Sequence, residues 1–185
     1  MNYNELSQKA HENAVIHGFW DEKHSNEHYL MLIVTEISEM VEADRKNNRA
    51  VMSDLFSIYD IDNDLPKFND DFELLIKNTV EDELADVAIR LFDLSGALGI
   101  DFDKMMPCRY YRAFDRFCFT ENAFALCKGL QRDPISVEKR IQFGIEYVIS
   151  WAEQLNIDLE FFVGLKMKYN ESRDKMHLHS KTKAK

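Results

Sequence analysis

Glu36-Ile-Ser-Glu39 and Glu83-Leu-Ala-Asp86 decide how this chain is read. Each acid pair is embedded in apolar residues that recur at helical spacing. Three positions separate the acids of a pair, so both stand on one helix face with Cβ atoms roughly 5–6 Å apart. At about 100° per residue with Glu36 as zero, Leu30, Ile33, Val34, Ile37 and Val41 fall between about 60° and 160° and form a core-facing stripe. Glu39 falls near 300°, on the shoulder of that stripe, and Glu42 near 240°, turned outward. With Glu83 as zero, Val80, Leu84, Val87, Leu91, Leu94 and Leu98 cover about 20° to 100°, and Asp86 again falls near 300°. Either pair alone reads as an ordinary solvated face. Two pairs at the same offset from two buried faces predict something more. Packed together, such helices gather four carboxylates, and that gathering calls for a hard divalent cation bound by oxygen.

A second pattern lies near the C-terminus. Lys166-Met-Lys-Tyr-Asn170-Glu-Ser-Arg173 sets a Lys, an Asn and an Arg at offsets of four and three, on one side of a helix. An ammonium, an amide and a guanidinium fork together suit phosphate oxygens. The plain alternative is a basic helix C-terminus that complements the macrodipole.

These segments carry a resemblance. Leu32-Ile-Val-Thr-Glu36-Ile-Ser-Glu39-Met-Val-Glu42-Ala, then Glu83-Leu-Ala-Asp86-Val, then Lys166-x-x-x-Asn170-x-x-Arg173 resemble, in that order, the all-α nucleoside triphosphate pyrophosphohydrolases of the MazG-like group. That group lies within the dimeric dUTPase-like superfamily. Gly18-Phe19-Trp20 ahead of the first motif, and His177 and Lys181 after the last, add to the likeness. It covers roughly residues 11–46, 79–103 and 155–181. The resemblance implies that Glu36, Glu39, Glu83 and Asp86 bind Mg²⁺, with Mn²⁺ as a substitute. It implies that Lys166, Asn170 and Arg173 contact substrate phosphates, and that the α–β phosphate bond of an NTP or dNTP is hydrolysed to a monophosphate and pyrophosphate. It also implies a homodimer or higher homo-oligomer. Ile89 and Phe92, on the back of the Glu83 helix, suggest a second apolar surface for such a partner.

The chain departs from the family pattern in three places. Thr35 stands where the motif usually has a first acid, which leaves the general base without an obvious holder. The stretch between Glu39 and Glu83 is long, and roughly fifty residues separate the second acid pair's helix from the Lys-Asn-Arg helix. Within that block, Leu98-Gly-Ile100-Asp101-Phe-Asp103 echoes Leu155-Asn-Ile157-Asp158-Leu-Glu160. Each Asp is placed to cap a following helix. A partial duplication and convergence on a common helix joint both account for the echo.

Composition fits an all-α protein, and the resemblance implies a helical bundle with a four-helix-bundle-like core and extra helices. The 185 residues, 45% of them hydrophobic, are expected to form one domain (1–185) with insertions near 48–78 and 104–154. Six Gly and three Pro suit long helices and few turns. Apolar periodicity predicts helices near 4–17, 26–47, 71–98, 101–127, 136–155 and 158–175. Residues 48–70 read as a loop, or a short helix plus loop, placed to act as a lid.

A net charge of −10 argues against a duplex nucleic-acid partner. It is compatible with a nucleotide enzyme whose metal supplies positive charge. Lys181 to Lys185 reads as a frayed basic tail. Cys108, Cys118 and Cys127, odd in number and without C-x-x-C spacing, suit a reducing compartment. With no signal pattern and no membrane-length apolar run, the expected location is the cytoplasm. Asp60-Ile-Asp62-Asn-Asp64 begins like a calcium loop but lacks the Gly and Glu such a loop requires. His24 and His28 form only half of a zinc site. Trp20 is a candidate for stacking on a nucleobase, against the plainer role of anchoring the first helix. Arg90, one turn beyond Asp86, is placed to pair with an acid of the cluster. Two rival readings stay open: a non-catalytic helical nucleotide- or metal-binding regulatory module, which Thr35 favours, and a dUTP-specific pyrophosphatase.

Overall fold

The computed structural model describes residues 2–51, 53, 65–105 and 113–173. Among them are seven α-helices and no strand: α1 (Tyr3–Ile16), α2 (Asn26–Arg45), α3 (Leu65–Leu75), α4 (Val80–Ala97), α5 (Phe119–Leu130), α6 (Val137–Leu155) and α7 (Leu159–Glu171). The bundle is built around α4. Its buried residues run from Val80 to Ser95 on every side of the helix, the pattern of a helix surrounded by others. Helices α1, α2, α6 and α7 all pack on it, α5 covers α2 and α6, and α3 lies against α7. The all-α bundle expected from the sequence is what forms. No helix among the described residues is long and apolar enough to cross a membrane.

Helix α1 approaches α4 along a seam of small residues. Ser7 and Ser95 share a buried hydroxyl hydrogen bond of 2.7 Å, and Ala10 is fully covered. A Cβ on Gly96 would stand 2.5 Å from the Ser7 carbonyl oxygen and 2.8 Å from His11 Cβ. On the far side, Tyr147, Trp151 and Phe114 form an aromatic cluster. Each such ring contributes on the order of 1.5–3 kcal/mol on burial. The stretch 104–154, expected as an insertion, therefore supplies part of the core through α5 and α6.

Several boundaries differ from those read in the sequence. Residues 71–98 are two helices rather than one, because the chain turns at Asn78 (φ 63°) and restarts on Thr79. The Thr79 side chain caps α4 by accepting the Asp82 N–H. Among its described residues, the expected helix 101–127 is a 3₁₀ turn at Phe102–Lys104, another at Phe114–Arg116, and then α5. The repeated Leu-x-Ile-Asp segment turns out to be one kind of joint used twice. Gly99 and Asn156 both take left-handed φ, and Ile100 and Ile157 donate back to Ser95 and Ala152 at 3.0 and 2.9 Å. Asp158 caps α7, whereas Asp101 caps only the 3₁₀ turn.

Ile89 and Phe92 do not form one exposed apolar surface on α4, since Ile89 is half-buried and lines the cavity described below. Phe92 is 1% exposed, covered by Tyr3 of α1 and by Phe102. Apolar side chains that do face outward include Met31, Leu74 and Phe124. The calcium-like run at Asp60, Cys108, His177 and the basic tail lie outside the described residues, as does most of the lid segment.

Two glycines test this packing in opposite senses. Gly96→Ala should destabilise by about 1–3 kcal/mol, because a backbone carbonyl cannot yield to the new methyl. Gly164→Ala in α7 meets nothing within 4 Å. It should stabilise by up to about 1 kcal/mol through helix propensity. Urea unfolding midpoints of the two variants, measured side by side, check both signs.

Candidate metal and phosphate site

Helices α1, α2, α4 and α7 enclose a cavity of about 310 Å³. Glu36 and Glu39 reach it from α2, Glu83, Asp86 and Arg90 from α4, and Lys166 and Asn170 from α7, with Arg173 just beyond α7's end. Asn13 and His17 of α1 and Phe19 line it as well. Every acid and phosphate-binding candidate read from the two motif groups therefore faces one space. They do not form the four-acid cluster expected.

Glu36, Glu39 and Glu83 each offer a carboxylate oxygen within 4.8 Å of the others. This is the one group of three or more metal-ligating side chains so placed among the described residues. Asp86 is turned away to Lys166, whose Nζ is 2.7 Å from its Oδ2. The same ammonium lies 2.8 Å from Asp82 Oδ1. Lys166 is thus not a free cation awaiting phosphate but the centre of a buried Asp82–Lys166–Asp86 bridge. Asn170 and Arg173 line the cavity nearby.

Asp82 is the residue that motif reading missed. It is 1% exposed, and its second oxygen accepts the Asn78 N–H at 2.9 Å. The pattern Asn78-Thr79-x-x-Asp82 is a helix-start signature that marks it in the sequence. Arg90 does pair with an acid as expected, its Nε donating to Glu36 Oε1 at 3.0 Å. The guanidinium also lies 4.4 Å from the Phe19 ring centroid. Thr35 takes no part, since its hydroxyl donates back to Leu32 of its own helix. The buried face of α2 includes Met40 and Ala43 beside Ile33 and Ile37, so it is rotated toward the acids. Glu36 is consequently drawn inward, its side chain only 13% exposed.

Trp20 sits elsewhere. One face stacks on Tyr29 at 4.1 Å, its Nε1 donates to Asp93 Oδ1, and His11 meets its edge. His11 Nδ1 shares the same Asp93 oxygen at 2.8 Å. Trp20 anchors the α1–α2 connection to α4, and Phe19 is the aromatic that reaches the cavity. His24 and His28 stack on each other at 4.1 Å with no third ligand among the described residues.

Electrostatics mark the cluster as incomplete. Burial, then the charges of Asp82 and Asp86, push the Glu83 carboxyl up to about 8, with Lys166 offsetting part of the rise. Burial and Asp86 likewise raise Glu36, against the pull of Arg90. Burial also raises Asp82, with Lys166 pulling it back. Burial works against the charge on Lys166, yet Asp86 and Asp82 together hold it above the usual lysine value. Oε2 of Glu83 is buried and has no hydrogen-bond partner among the described residues. An orphaned carboxylate oxygen inside a triad of acids is the environment a hard divalent cation completes, so these residues fit Mg²⁺.

The sign of the pH effect follows. Between the ordinary 4.5 and about 8, folded Glu83 retains a proton that the unfolded chain releases. Stability of the metal-free protein should therefore fall as pH rises through that window. A divalent ion entering this triad would have to displace that proton, so its affinity would rise with pH toward 8. Thermal unfolding in chelator across pH 5 to 9 checks the first point, with Glu83→Gln expected to flatten the profile. Protein-family models, curated proteins and solved structures yield no match to this chain, so the site's own geometry carries the functional reading.

Proposed function

We propose that this chain is a Mg²⁺-dependent nucleoside triphosphate pyrophosphohydrolase, cleaving the α–β phosphate bond of an NTP or dNTP to give NMP and pyrophosphate. The observation that carries the reading is a single cavity with two chemically distinct walls. One wall holds Glu36, Glu39 and Glu83 with an unpartnered Glu83 oxygen. The other holds Asn170 and Arg173, beside Lys166 in its bridge to Asp82 and Asp86. The first suits a hard cation, the second phosphate oxygens, and a polyphosphate–metal complex is the ligand that needs both. The order of motifs resembling the MazG-like group points the same way.

Mg²⁺ held by the triad would offset phosphate charge and polarise an attacking water. The chain's own residues do the positioning. Arg173 and Asn170 orient the phosphates, Arg173 through its guanidinium and Asn170 through its Nδ2 amide, both lining the cavity. Arg90 fixes Glu36 through its hydrogen bond, so one ligand is already oriented before anything binds. With no acid at position 35, Glu39 is the carboxylate we assign to receiving the water's proton. It is the most exposed of the three. A homodimer, as the resemblance implies, forms part of the proposal.

Pyrophosphate release from a panel of canonical and modified NTPs and dNTPs tests the reading. Glu39→Gln and Glu83→Gln should each lower kcat by at least about a hundredfold, the loss expected when several kcal/mol of metal-assisted stabilisation go. The bridge on Asp86 and the hydroxyl at Thr35 favour one rival, a regulatory module without turnover. It predicts no release from any substrate, and thermal stabilisation by metal alone rather than by metal with a non-hydrolysable triphosphate. Release confined to dUTP would mark the narrower enzyme.

A further inference from the structure

Asp86 follows Glu83 by three residues on one face of α4, as Glu39 follows Glu36 on α2. Yet its carboxylate is bonded to Lys166 and stands outside the triad. The two ends of this bridge are unequal. Asp82 is 1% exposed, and its free oxygen is tied to the Asn78 backbone, which fixes its rotamer. Asp86 is only part-buried, its side chain 19% exposed toward the cavity. A lysine ammonium has three donors, and two are directed here at carboxylates. One of those carboxylates is held by a second hydrogen bond, and the other is partly open to the cavity.

We propose that Lys166 is a built-in counter-cation that competes with the divalent ion for Asp86, and that Asp82 is the positioning residue that keeps the ammonium in place when Asp86 turns to the metal. The proposal rests on the metal-site reading above. In the metal-free chain Lys166 offsets part of the charge of two acids that would otherwise repel each other and Glu83 more strongly. When a doubly charged ion enters the triad, Asp86 gains more from it than from a single charge at similar range. Lys166 remains on Asp82 with a donor now directed into the cavity, beside Asn170 and Arg173. Metal occupancy thereby prepares the phosphate wall with a side-chain rotation. The coupling runs both ways, since phosphate that draws Lys166 off Asp86 must tighten metal binding by the same factor.

The paired variant D82N/K166M tests this without changing the net charge of the site, so a simple change of field is not its readout. Mn²⁺ affinity, titrated by electron paramagnetic resonance in the absence of nucleotide, should rise about tenfold over wild type because Asp86 no longer has to be drawn from an ammonium. Adding D86N to that background should abolish the gain. If D82N/K166M does not fold, D82N/K166Q poses the same question with a polar chain of similar length. Unchanged or weaker affinity in the paired variant, or a gain that survives D86N, overturns the competition while leaving the metal site standing. Failure of wild type and variants alike to bind Mn²⁺ would instead remove the metal reading and the competition with it.

Discussion

The structure depends on placing an acidic helix start at the centre of the bundle. The first turn of α4 carries Glu81, Asp82 and Glu83, all buried. Acids at a helix N-terminus gain from the macrodipole, roughly 0.3–1 kcal/mol each and up to about 2 when partly buried. Desolvation outweighs that gain, as the raised Glu83 and Asp82 show. The surrounding elements therefore answer the acids one by one. Glu81 takes the Ala50 N–H beside Arg49, Asp82 takes Lys166 and Asn78, and Glu36 on the facing helix takes Arg90. Glu83 Oε2 alone among these is left without a partner among the described residues, and that exception defines the site.

The same helix organises the opposite end of the cavity. Asp93 is 5% exposed and accepts from both His11 and Trp20 through one oxygen. That pair of hydrogen bonds, with the tight Ser7–Gly96 approach, holds α1 at a fixed height on α4. Asn13 and His17 are placed on the cavity wall as a consequence, and His17 is held between the Asn13 and Arg173 carbonyls. The end of α1 and the residues just past α7 are thereby joined across the site. A buried charge network of this kind adds little net stability, but removing one partner leaves an uncompensated charge at considerable cost. It specifies arrangement more than it adds strength.

Much of this was legible beforehand. The acid pairs, their shared offset from the apolar stripe, the Lys-Asn-Arg run and the Arg90 partnership all follow from helical periodicity, which is local. What periodicity could not supply was the partner each charge finds across helices. Lys166 looks like a phosphate ligand in its own segment, and only the packing of α7 on α4 puts it between Asp82 and Asp86. Trp20 looks like a stacking platform until Tyr29 is seen against its face. Phe92 looks like a partner surface until α1 covers it. The break at Asn78 was readable from the Asn-Thr-x-x-Asp pattern, but apolar residues recurring at helical spacing on either side masked it.

The sequence by itself determined the all-α class, the helix faces and which residues carry charge beside the core, because those depend on a period of 3.6 residues within single segments. The tertiary structure decided which of those charges are already satisfied. Three carboxylates converge, the fourth is held by a lysine, and Glu83 Oε2 is left without a partner among the described residues. That outcome depends on distances of a few ångströms between helices far apart in the chain, where a shift of one turn would exchange every partner.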